Sequence, residues 1–311
     1  MFAVFSNPSQ YQVVPSRHNL TYRKAFLNAF IIMTMKIKEI KAKSIITPSA
    51  LPESDFVINP YVGCMHSCIY CYARFMKRFT NHHEPWGKFV DVKINAPDLI
   101  PEVKYKNKYK GKSISMSSVT DSYQPIEAKY KLMREILPRL LPLQPSLCIM
   151  TKSDLIIRDI DLLKKFKDLT AGVSLTLLDD NVRKEVEPLA SSVDRRIVAV
   201  KKLKKAGIKT FVFISPMFPY LTDWKGIINK TKDFTDEFWF ENLNVRATNW
   251  SDVKKWLKAH HPNLLKKYEE VYFTKSDYWD KVEAEIKQFC KQHKLKFKLY
   301  FHHKADKFQH N

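Results

Sequence analysis

Cysteine is scarce in this chain, with five residues among 311. An odd number of cysteines cannot all pair within one chain, and nothing in the sequence indicates the oxidising compartment in which disulfides persist. Long apolar runs are also missing, because no window approaches the ~18 apolar residues that a membrane-spanning helix needs. These absences argue against a disulfide-stapled secreted domain and predict a protein without a membrane span.

The N-terminal region has a short apolar patch, Ala25–Met33, that follows basic residues as in a signal peptide. No small-residue cleavage site comes after it, which a secretory signal would require. A transit-like segment or a misassigned start fits the pattern equally well, and in the second case Met33 or Met35 would begin the protein. We therefore interpret residues 1–45 as an extension and residues 46–305 as the catalytic core.

Acidic residues are few compared with basic ones, 32 against 53, which gives a net charge of +21 at pH 7. Such an excess attracts polyanions, so it predicts contact with nucleic acid or with a phosphorylated substrate. The excess is mainly lysine, scattered in runs such as 104–112 and 201–205. Lysine-rich solvated helix faces would give the same count, and this alternative stays open.

Three of the cysteines form a CxxxCxxC triplet, Cys64, Cys68 and Cys71, within the stretch NPYVGCMHSCIYCY. Thiolates at this spacing are suited to a [4Fe–4S] cluster, whose irons take thiolate ligands. A fourth iron would then have no protein ligand, and an open coordination position points to chemistry rather than simple electron transfer. The alternative is a zinc site completed by His66, although structural zinc sites usually show four ligands in paired CxxC spacings.

Short β-rich runs alternate with amphipathic helical stretches from about residue 55, which is typical of βα units and a parallel sheet. The sequence predicts strands at 56–61, 113–118, 147–151, 172–177, 209–215, 237–243 and 296–301. It predicts helices after the cysteines and at 125–137, 159–167, 194–206 and 278–293. We expect an α/β fold, a partial (β/α)6 TIM-like barrel with its chemistry at the C-terminal strand ends. Periodicity alone also permits a doubly wound open sheet.

Four segments carry a family resemblance, and they occur in the order NPYVGCMHSCIYCYAR, SVTDSYQPIE, MTKSD and EPLASSVDRRIVAVKKLKKAGI. They resemble the radical S-adenosylmethionine (radical SAM) superfamily and, within it, the spore photoproduct lyase-like branch related to DNA repair photolyases. The resemblance covers about residues 55–245. It implies a radical SAM barrel that binds one [4Fe–4S] cluster and S-adenosylmethionine.

The resemblance also implies roles for single residues. The motif cysteines would bind the cluster. The residues that contact S-adenosylmethionine would be Tyr70, Thr120, Lys152 and Ser174. Lys152 and Ser174 would bind its methionyl carboxylate, for which a cation and a hydroxyl are fitting partners. The alternatives are that Lys152 is one more surface lysine and that Ser174 is a hydrogen-bonded core serine.

Tyr72 and Cys148 are the candidate hydrogen-transfer residues. In the lyases of the branch a cysteine after the second strand donates a hydrogen atom to the product, but Ser118 stands at that position here. A serine O–H bond is far too strong to replace a thiol in this step. Tyr72 matches a tyrosine of the lyases' radical relay, with packing beside the cluster as the alternative. Cys148 shares a strand face with Lys152, so it is either a replacement donor or a packing residue.

These observations predict an enzyme of lyase or oxidoreductase type that cleaves S-adenosylmethionine and abstracts a hydrogen atom from its substrate. DNA or RNA is the predicted substrate, and a peptide or small metabolite is the alternative. The enzyme would need a one-electron donor such as flavodoxin or ferredoxin. An oxygen-sensitive cluster and reduced thiols predict the cytoplasm. A non-enzymatic, basic nucleic-acid-binding protein with a cysteine-bound zinc is the remaining alternative.

Overall fold

The computed structural model describes residues 35–51, 53–245 and 249–302. The apolar patch Ala25–Met33 and residues 303–305, the predicted end of the core, lie outside these ranges. The chain divides into two units, Met1–Lys36 and Ile37–Asn311, and the second contains the main sheet and its helices. No helix of the described residues is long and apolar enough to cross a membrane.

The main sheet contains eight strands in the described residues. In spatial order they are β2 (Ile46–Pro48), β3 (Phe56–Ile58), β6 (Ser113–Met116), β7 (Ser146–Thr151), β8 (Leu169–Ser174), β9 (Lys209–Met217), β10 (Glu237–Asn242) and β11 (Phe297–Leu299). All neighbours from β3 to β11 are parallel, and β2 is antiparallel to β3. Because the spatial order never reverses, the sheet follows the barrel topology and not that of a doubly wound sheet.

Helices connect the parallel strands, as βα units require. They are α1 (Lys106–Tyr109), α2 (Glu127–Tyr130), α3 (Leu132–Leu140), α4 (Ile160–Leu163), α5 (Asp180–Val186), α6 (Val193–Lys205), α7 (Trp224–Thr231), α8 (Trp250–His260), α9 (Pro262–Phe273) and α10 (Tyr278–Gln292). Short 3₁₀ segments span Tyr72–Phe79, Pro97–Leu99, Val103–Tyr105, Leu141–Leu143, Asp154–Asp159 and Lys232–Phe234. The helix predicted after the cysteines is thus a 3₁₀ segment.

Two predicted elements lie elsewhere or are divided. The strand predicted at 172–177 is β8, Leu169–Ser174, because Leu169 continues the parallel pairing with Leu147 and the chain leaves the sheet after Ser174. The helix predicted at 125–137 divides into α2 and α3 at Lys131, whose φ of 53° is left-handed and interrupts the helical hydrogen bonds. Such a break is invisible in the apolar periodicity.

A second, small sheet was not predicted, and it includes residues of the segment interpreted as an extension. Its strands are β1 (Lys36–Ile40), β5 (Phe89–Lys93) and β4 (Tyr61–Val62), with β5 in the centre. Backbone and side-chain bonds fix residues 37–45 here: Ile94 N donates to the Ile40 carbonyl, and Ala42 N donates to Asn95 Oδ1 at 2.8 Å. These residues belong to the folded unit because their main-chain groups are bonded within it.

The cysteine loop leaves β4, and the C-terminal helices cover its apolar side. Tyr70 contacts Phe218 edge-on with ring centroids 5.5 Å apart, and Phe218 contacts Trp256 of α8 in the same way. Asn249, which is fully buried, donates from Nδ2 to the Tyr70 carbonyl at 2.6 Å. Helices far along the chain thereby fix the position of the motif.

Candidate active site

The three motif cysteines lie on one loop at the C-terminal end of the parallel strands. Cys64 and Cys68 are buried, Cys71 is half-buried, and all three are free thiols. Burial raises the pKa of Cys64 well above its usual value, and the nearby charges of Asp121, Cys68 and Cys71 raise it further. Burial likewise raises the pKa of Cys68 to about 12. Ligation must therefore displace protons from these thiols, which couples metal binding to pH.

Close backbone contacts set the shape of the loop. Gly63 has a φ of +84°, and a Cβ there would lie 2.4 Å from the Phe89 carbonyl oxygen, so only glycine fits. The Gly63 carbonyl accepts from Thr120 Oγ1 at 2.6 Å. Gln124, fully buried, accepts from Met65 N at 2.7 Å and donates to Thr120 Oγ1 at 3.1 Å. Thr120 and Gln124 therefore hold the start of the loop in place.

The segment before β5 covers the middle of the cysteine loop. Ser67, with a φ of +57°, donates from Oγ to the Gly87 carbonyl at 3.0 Å. Gly87 has a φ of +85°, and a Cβ there would lie 2.1 Å from Ser67 Oγ. The next side chain back, Trp86, packs edge-on against Phe89 with ring centroids 5.8 Å apart. The residues that approach the cysteines from this side are therefore fixed by backbone contacts.

Two buried nitrogens beside the cysteines have no hydrogen-bond partner within the described residues: His66 Nε2 and Trp86 Nε1. Trp86 lies near Cys71, whose pKa burial raises. Orphaned buried polar atoms are rare and indicate a missing partner. In the described part of the chain no three or more His, Cys, Asp and Glu side chains are arranged to hold a single metal ion. Three soft thiols with N–H groups beside them are a donor set that suits an iron–sulfur cluster.

Asp121 joins the cysteine loop to the ends of two strands. Its Oδ1 accepts from Thr151 Oγ1 at 2.7 Å and from Tyr123 N at 2.8 Å. Its Oδ2 accepts from Lys152 N at 2.9 Å and lies 3.4 Å from His66 Nδ1. This carboxylate therefore places the Lys152 backbone opposite the loop.

Lys152 projects towards the cysteines rather than into solvent. Its Nζ lies 5.8 Å from the centre of the Tyr70 ring. Burial lowers its pKa, but Cys68 in its thiolate form and the Glu187 carboxylate outweigh that effect and raise it overall. A charged ammonium thus lies beside the cluster loop, which favours binding of an anion there.

A buried ion pair lies beneath Tyr70. Glu187 and Arg196 are both fully buried, and Glu187 Oε2 accepts from Arg196 at 2.5 Å. The Glu187 carboxylate also accepts from the Tyr70 hydroxyl and, at 3.1 Å, from Thr176 Oγ1. Burial raises the Glu187 pKa, but the charges of Arg196 and Lys152 prevail and lower it to about 2.

Ser174 belongs to the same buried network. Its Oγ donates to the Ser215 carbonyl at 2.8 Å, and its own carbonyl accepts from Arg196 at 2.7 Å. The side chain is 1% exposed. With its proton used on Ser215, the Ser174 hydroxyl has only acceptor capacity left for a ligand.

Tyr72 and Ser118 meet at the mouth of the barrel. The Tyr72 hydroxyl donates to the Ser118 carbonyl. Asn59 fixes the Ser118 segment, because its Oδ1 accepts from Ser118 N at 2.9 Å and from Val119 N at 3.2 Å. Tyr72 is 45% exposed, so a substrate can reach it. Its surroundings nonetheless raise its pKa, first by desolvation and then through the charge of Glu241.

Cys148 lies apart from these residues. It lines a cavity of about 180 Å³ that is formed by the first residues of the strands, together with Glu53, Trp239, Lys298 and Tyr300. It comes four residues before Lys152 along the chain, or about 13 Å at the usual rise of a strand. The structure therefore gathers the cluster and cofactor candidates at one end of the barrel and leaves Cys148 near the other.

Comparisons with known proteins agree with this geometry. A family model described as "Radical SAM superfamily" matches residues 58–228. An uncharacterized protein of Methanocaldococcus jannaschii is 44% identical over 228 residues, which cover 73% of this chain and 85% of that protein. An uncharacterized protein of Acidianus two-tailed virus is 30% identical over 218 residues, which cover 65% of this chain and 71% of the viral protein.

Solved structures of spore photoproduct lyase share the fold. The lyase complexed with dinucleoside spore photoproduct gives a TM-score of 0.60 at 16% identity, with 94% of this chain and 88% of the lyase covered. A lyase mutant with bound AdoMet and dinucleoside spore photoproduct gives 0.61 with the same identity and coverage. At this level of identity the likeness concerns the fold, and it confirms the partial barrel.

The chain belongs to the radical SAM superfamily. Its members use a [4Fe–4S] cluster and S-adenosylmethionine, so this protein is a radical SAM enzyme with those two cofactors. The alternative of a non-enzymatic zinc protein is thereby wrong. The sequence did not point to Gln124, which holds the start of the cysteine loop by hydrogen bonds, or to Trp86, which lies beside the cysteines. Gln124 lies within the SVTDSYQPIE segment, but only its hydrogen bonds reveal its use.

Proposed function

We propose that this radical SAM enzyme abstracts a hydrogen atom from a nucleotide of a nucleic-acid substrate. The observation that carries the proposal is the contact between Tyr72 and Ser118 at the barrel mouth. The sequence resemblance matches these two positions with the relay tyrosine and the donor cysteine of the lyases. A net charge of +21 supports a polyanionic substrate. Lyase structures with this fold hold a dinucleoside spore photoproduct, which supports the same substrate class.

Each residue has a proposed part. Cys64, Cys68 and Cys71 hold the cluster, and when bound the cluster and S-adenosylmethionine supply a 5′-deoxyadenosyl radical. Lys152 would bind the cofactor carboxylate through its ammonium, and Tyr70 would contact the cofactor. Thr120 and Ser174 were also predicted to contact the cofactor. Their hydroxyl protons are already donated within the protein, so we propose other roles for them.

Thr120 is proposed to position the loop, because its hydroxyl proton goes to the Gly63 carbonyl. Ser174 is proposed to accept a hydrogen bond from the cofactor's ammonium, since its own proton goes to Ser215. Tyr72 is proposed to face the substrate. Cys148 is outside this proposal, because its cavity lies at the opposite end of the strands. We also propose a cytoplasmic enzyme that receives its electron from a flavodoxin- or ferredoxin-type protein.

The experiment that tests the substrate class is deuterium transfer. The anaerobically reconstituted enzyme receives dithionite, S-adenosylmethionine and a single-stranded oligonucleotide that is deuterated in its sugars and bases. We expect deuterium in the 5′-deoxyadenosine product. Deoxyadenosine that forms equally well without the oligonucleotide and contains no deuterium would contradict a nucleic-acid substrate.

Ser118→Cys tests the role of the Tyr72–Ser118 contact. The variant restores a thiol at the position beside Tyr72, so we expect more of the abstracted substrate to be returned as a reduced product. Tyr72→Phe in the same background should remove that gain, because the phenol can no longer pass a hydrogen atom. A reduced-product fraction that is the same in wild type, Ser118→Cys and the double variant would contradict the assigned roles.

A further inference from the structure

Three adjacent strands carry paired layers of side chains on the barrel's inner face. Residues two apart on a strand point to the same side, so Phe213 and Ser215 of β9 form one such pair. Trp239 and Glu241 of β10 form the second. Tyr300 and His302, just after β11, form the third. One layer is therefore aromatic and the next is polar, about 6.6 Å further along the strands.

The contacts confirm both layers. In the aromatic layer the ring centroids of Phe213, Trp239 and Tyr300 lie 6.1–6.2 Å from one another, at angles of 73–82° between the ring planes. In the polar layer Glu241 accepts from Ser215 Oγ at 2.5 Å, and its other oxygen pairs with His302 Nε2 at 2.9 Å. The polar layer thus holds one carboxylate in a fixed orientation.

Glu241 is accessible and faces the reactive side of the barrel. Its side chain is 26% exposed and that of His302 is 45% exposed. Tyr72, 45% exposed, lies at the same mouth of the barrel. A ligand at this mouth would lie against the Glu241 carboxylate.

We propose that Glu241 is the specificity residue of this enzyme and that it binds the Watson–Crick edge of a guanine base. The inference rests on the proposed nucleic-acid function and deepens it. Each Glu241 oxygen keeps acceptor capacity after its bond to Ser215 or His302, so the carboxylate can accept from two adjacent N–H groups. Guanine presents such a pair, N1–H and the exocyclic N2–H. Thymine places its single N–H between two carbonyls, which a carboxylate repels, and adenine and cytosine pair their amine with a ring acceptor.

The aromatic layer closes the chamber beneath Glu241, because Trp239 is stacked on Phe211 with ring centroids 3.8 Å apart, and Trp239 and Tyr300 also line the N-terminal cavity. It offers a base apolar contact and no selection among bases. Discrimination therefore comes from Glu241. The Watson–Crick edge is free only in a single strand or in a base turned out of a duplex, so the substrate guanine must be unpaired at the site. Phosphates would lie outside the chamber, because the carboxylate disfavours them within it.

The test measures binding without turnover. Reconstituted enzyme with S-adenosylmethionine, without reductant, is titrated with short thymine oligonucleotides whose central base is guanine, hypoxanthine or thymine. Because the phosphates are identical, the electrostatic contribution is the same for all three. We expect guanine to bind at least tenfold to a hundredfold tighter than thymine, since one hydrogen bond to a charged acceptor already contributes about that much. Hypoxanthine, which lacks the exocyclic amine, should fall between them.

Glu241→Gln should abolish the guanine preference, and affinity for the all-thymine strand should not fall, because the neutral amide no longer repels the thymine carbonyls. Glu285→Gln is the matched control, because this exposed carboxylate pairs with Lys225 on the surface and should retain the preference. The thermal midpoint of each variant shows whether it is folded. Equal binding of the three strands by wild type, or an unchanged preference in Glu241→Gln, would overturn the inference. Binding of none of the strands would overturn the nucleic-acid function as well.

Discussion

The two ends of the barrel contain similar side chains in different settings. At the C-terminal end Arg196 and Glu187 form an ion pair in which both side chains are 0% exposed. At the N-terminal end Lys298 contacts Glu53, with side chains 31% and 56% exposed. Both ends also have cysteines with raised pKa values. Residue type alone therefore does not define the site; burial and fixed partners do.

The largest expected difference between the two ends is in how cysteine substitutions affect cluster content and activity. We expect Cys64→Ala, Cys68→Ala and Cys71→Ala each to lose the cluster and 5′-deoxyadenosine formation, because each removes a thiolate ligand from a site with three. Iron and sulfide content and the cluster's visible absorbance provide the measurement. Cys148→Ala, at the other end, is the matched control and should keep both iron and activity. Loss of iron in Cys148→Ala would erase the distinction between the two ends.

The second largest expected difference is between the two ion pairs in their contribution to the free energy of unfolding. Arg196→Met leaves the Glu187 carboxylate buried without its partner, so we expect a loss of about 3–5 kcal/mol in the free energy of unfolding. Lys298→Met removes an exposed pair and should cost about 1 kcal/mol or less. Urea unfolding of the cluster-free proteins measures both. Equal losses would mean that the exposed N-terminal pair contributes as much to the free energy of unfolding as the buried pair.

Two lysines provide a comparison in function. Lys152→Met should raise the Kd for S-adenosylmethionine by about tenfold to a hundredfold, since a charged hydrogen bond to the carboxylate is lost. Lys209→Met, at the start of β9 by the N-terminal cavity, should leave that Kd unchanged. Equilibrium dialysis with labelled cofactor on reconstituted protein is the measurement. An unaffected Kd in Lys152→Met would remove this lysine from the site.

The smallest expected effect is that of acidic pH on the free energy of unfolding. Glu187 has a folded pKa lowered to about 2 from its usual 4.5, so its contribution to stability is complete above pH 4.5. That contribution falls as pH drops from about 4.5 towards 2, because the unfolded chain then binds the proton first. Urea unfolding at a series of pH values should show a steeper acid loss in wild type than in Glu187→Gln. Parallel curves would contradict the lowered pKa.

Local signals in the sequence predicted much of the fold and part of the site. The cysteine triplet needs only short spacing, and each strand of the parallel sheet is an apolar run that periodicity reveals. Gln124 was not predicted, because its partner Met65 lies far away in the sequence and only the fold brings them together. The alignment of Ser215, Glu241 and His302 is equally long-range, since it depends on the register of neighbouring strands. The small sheet was missed because β4 has only two residues and β1 lies in the segment interpreted as an extension.

The hydrogen bonds of the Gln124 side-chain amide bear on how the enzyme regains a lost cluster. This amide accepts from Met65, donates to Thr120 and lies 3.4 Å from the Gly63 carbonyl, so hydrogen bonds within the protein hold the start of the loop. Little chain entropy would then be lost when iron and sulfide enter, which favours binding to a preorganised site. If oxygen destroyed the cluster, this part of the loop would stay in place. Repair would then need new iron and sulfide rather than refolding of the loop.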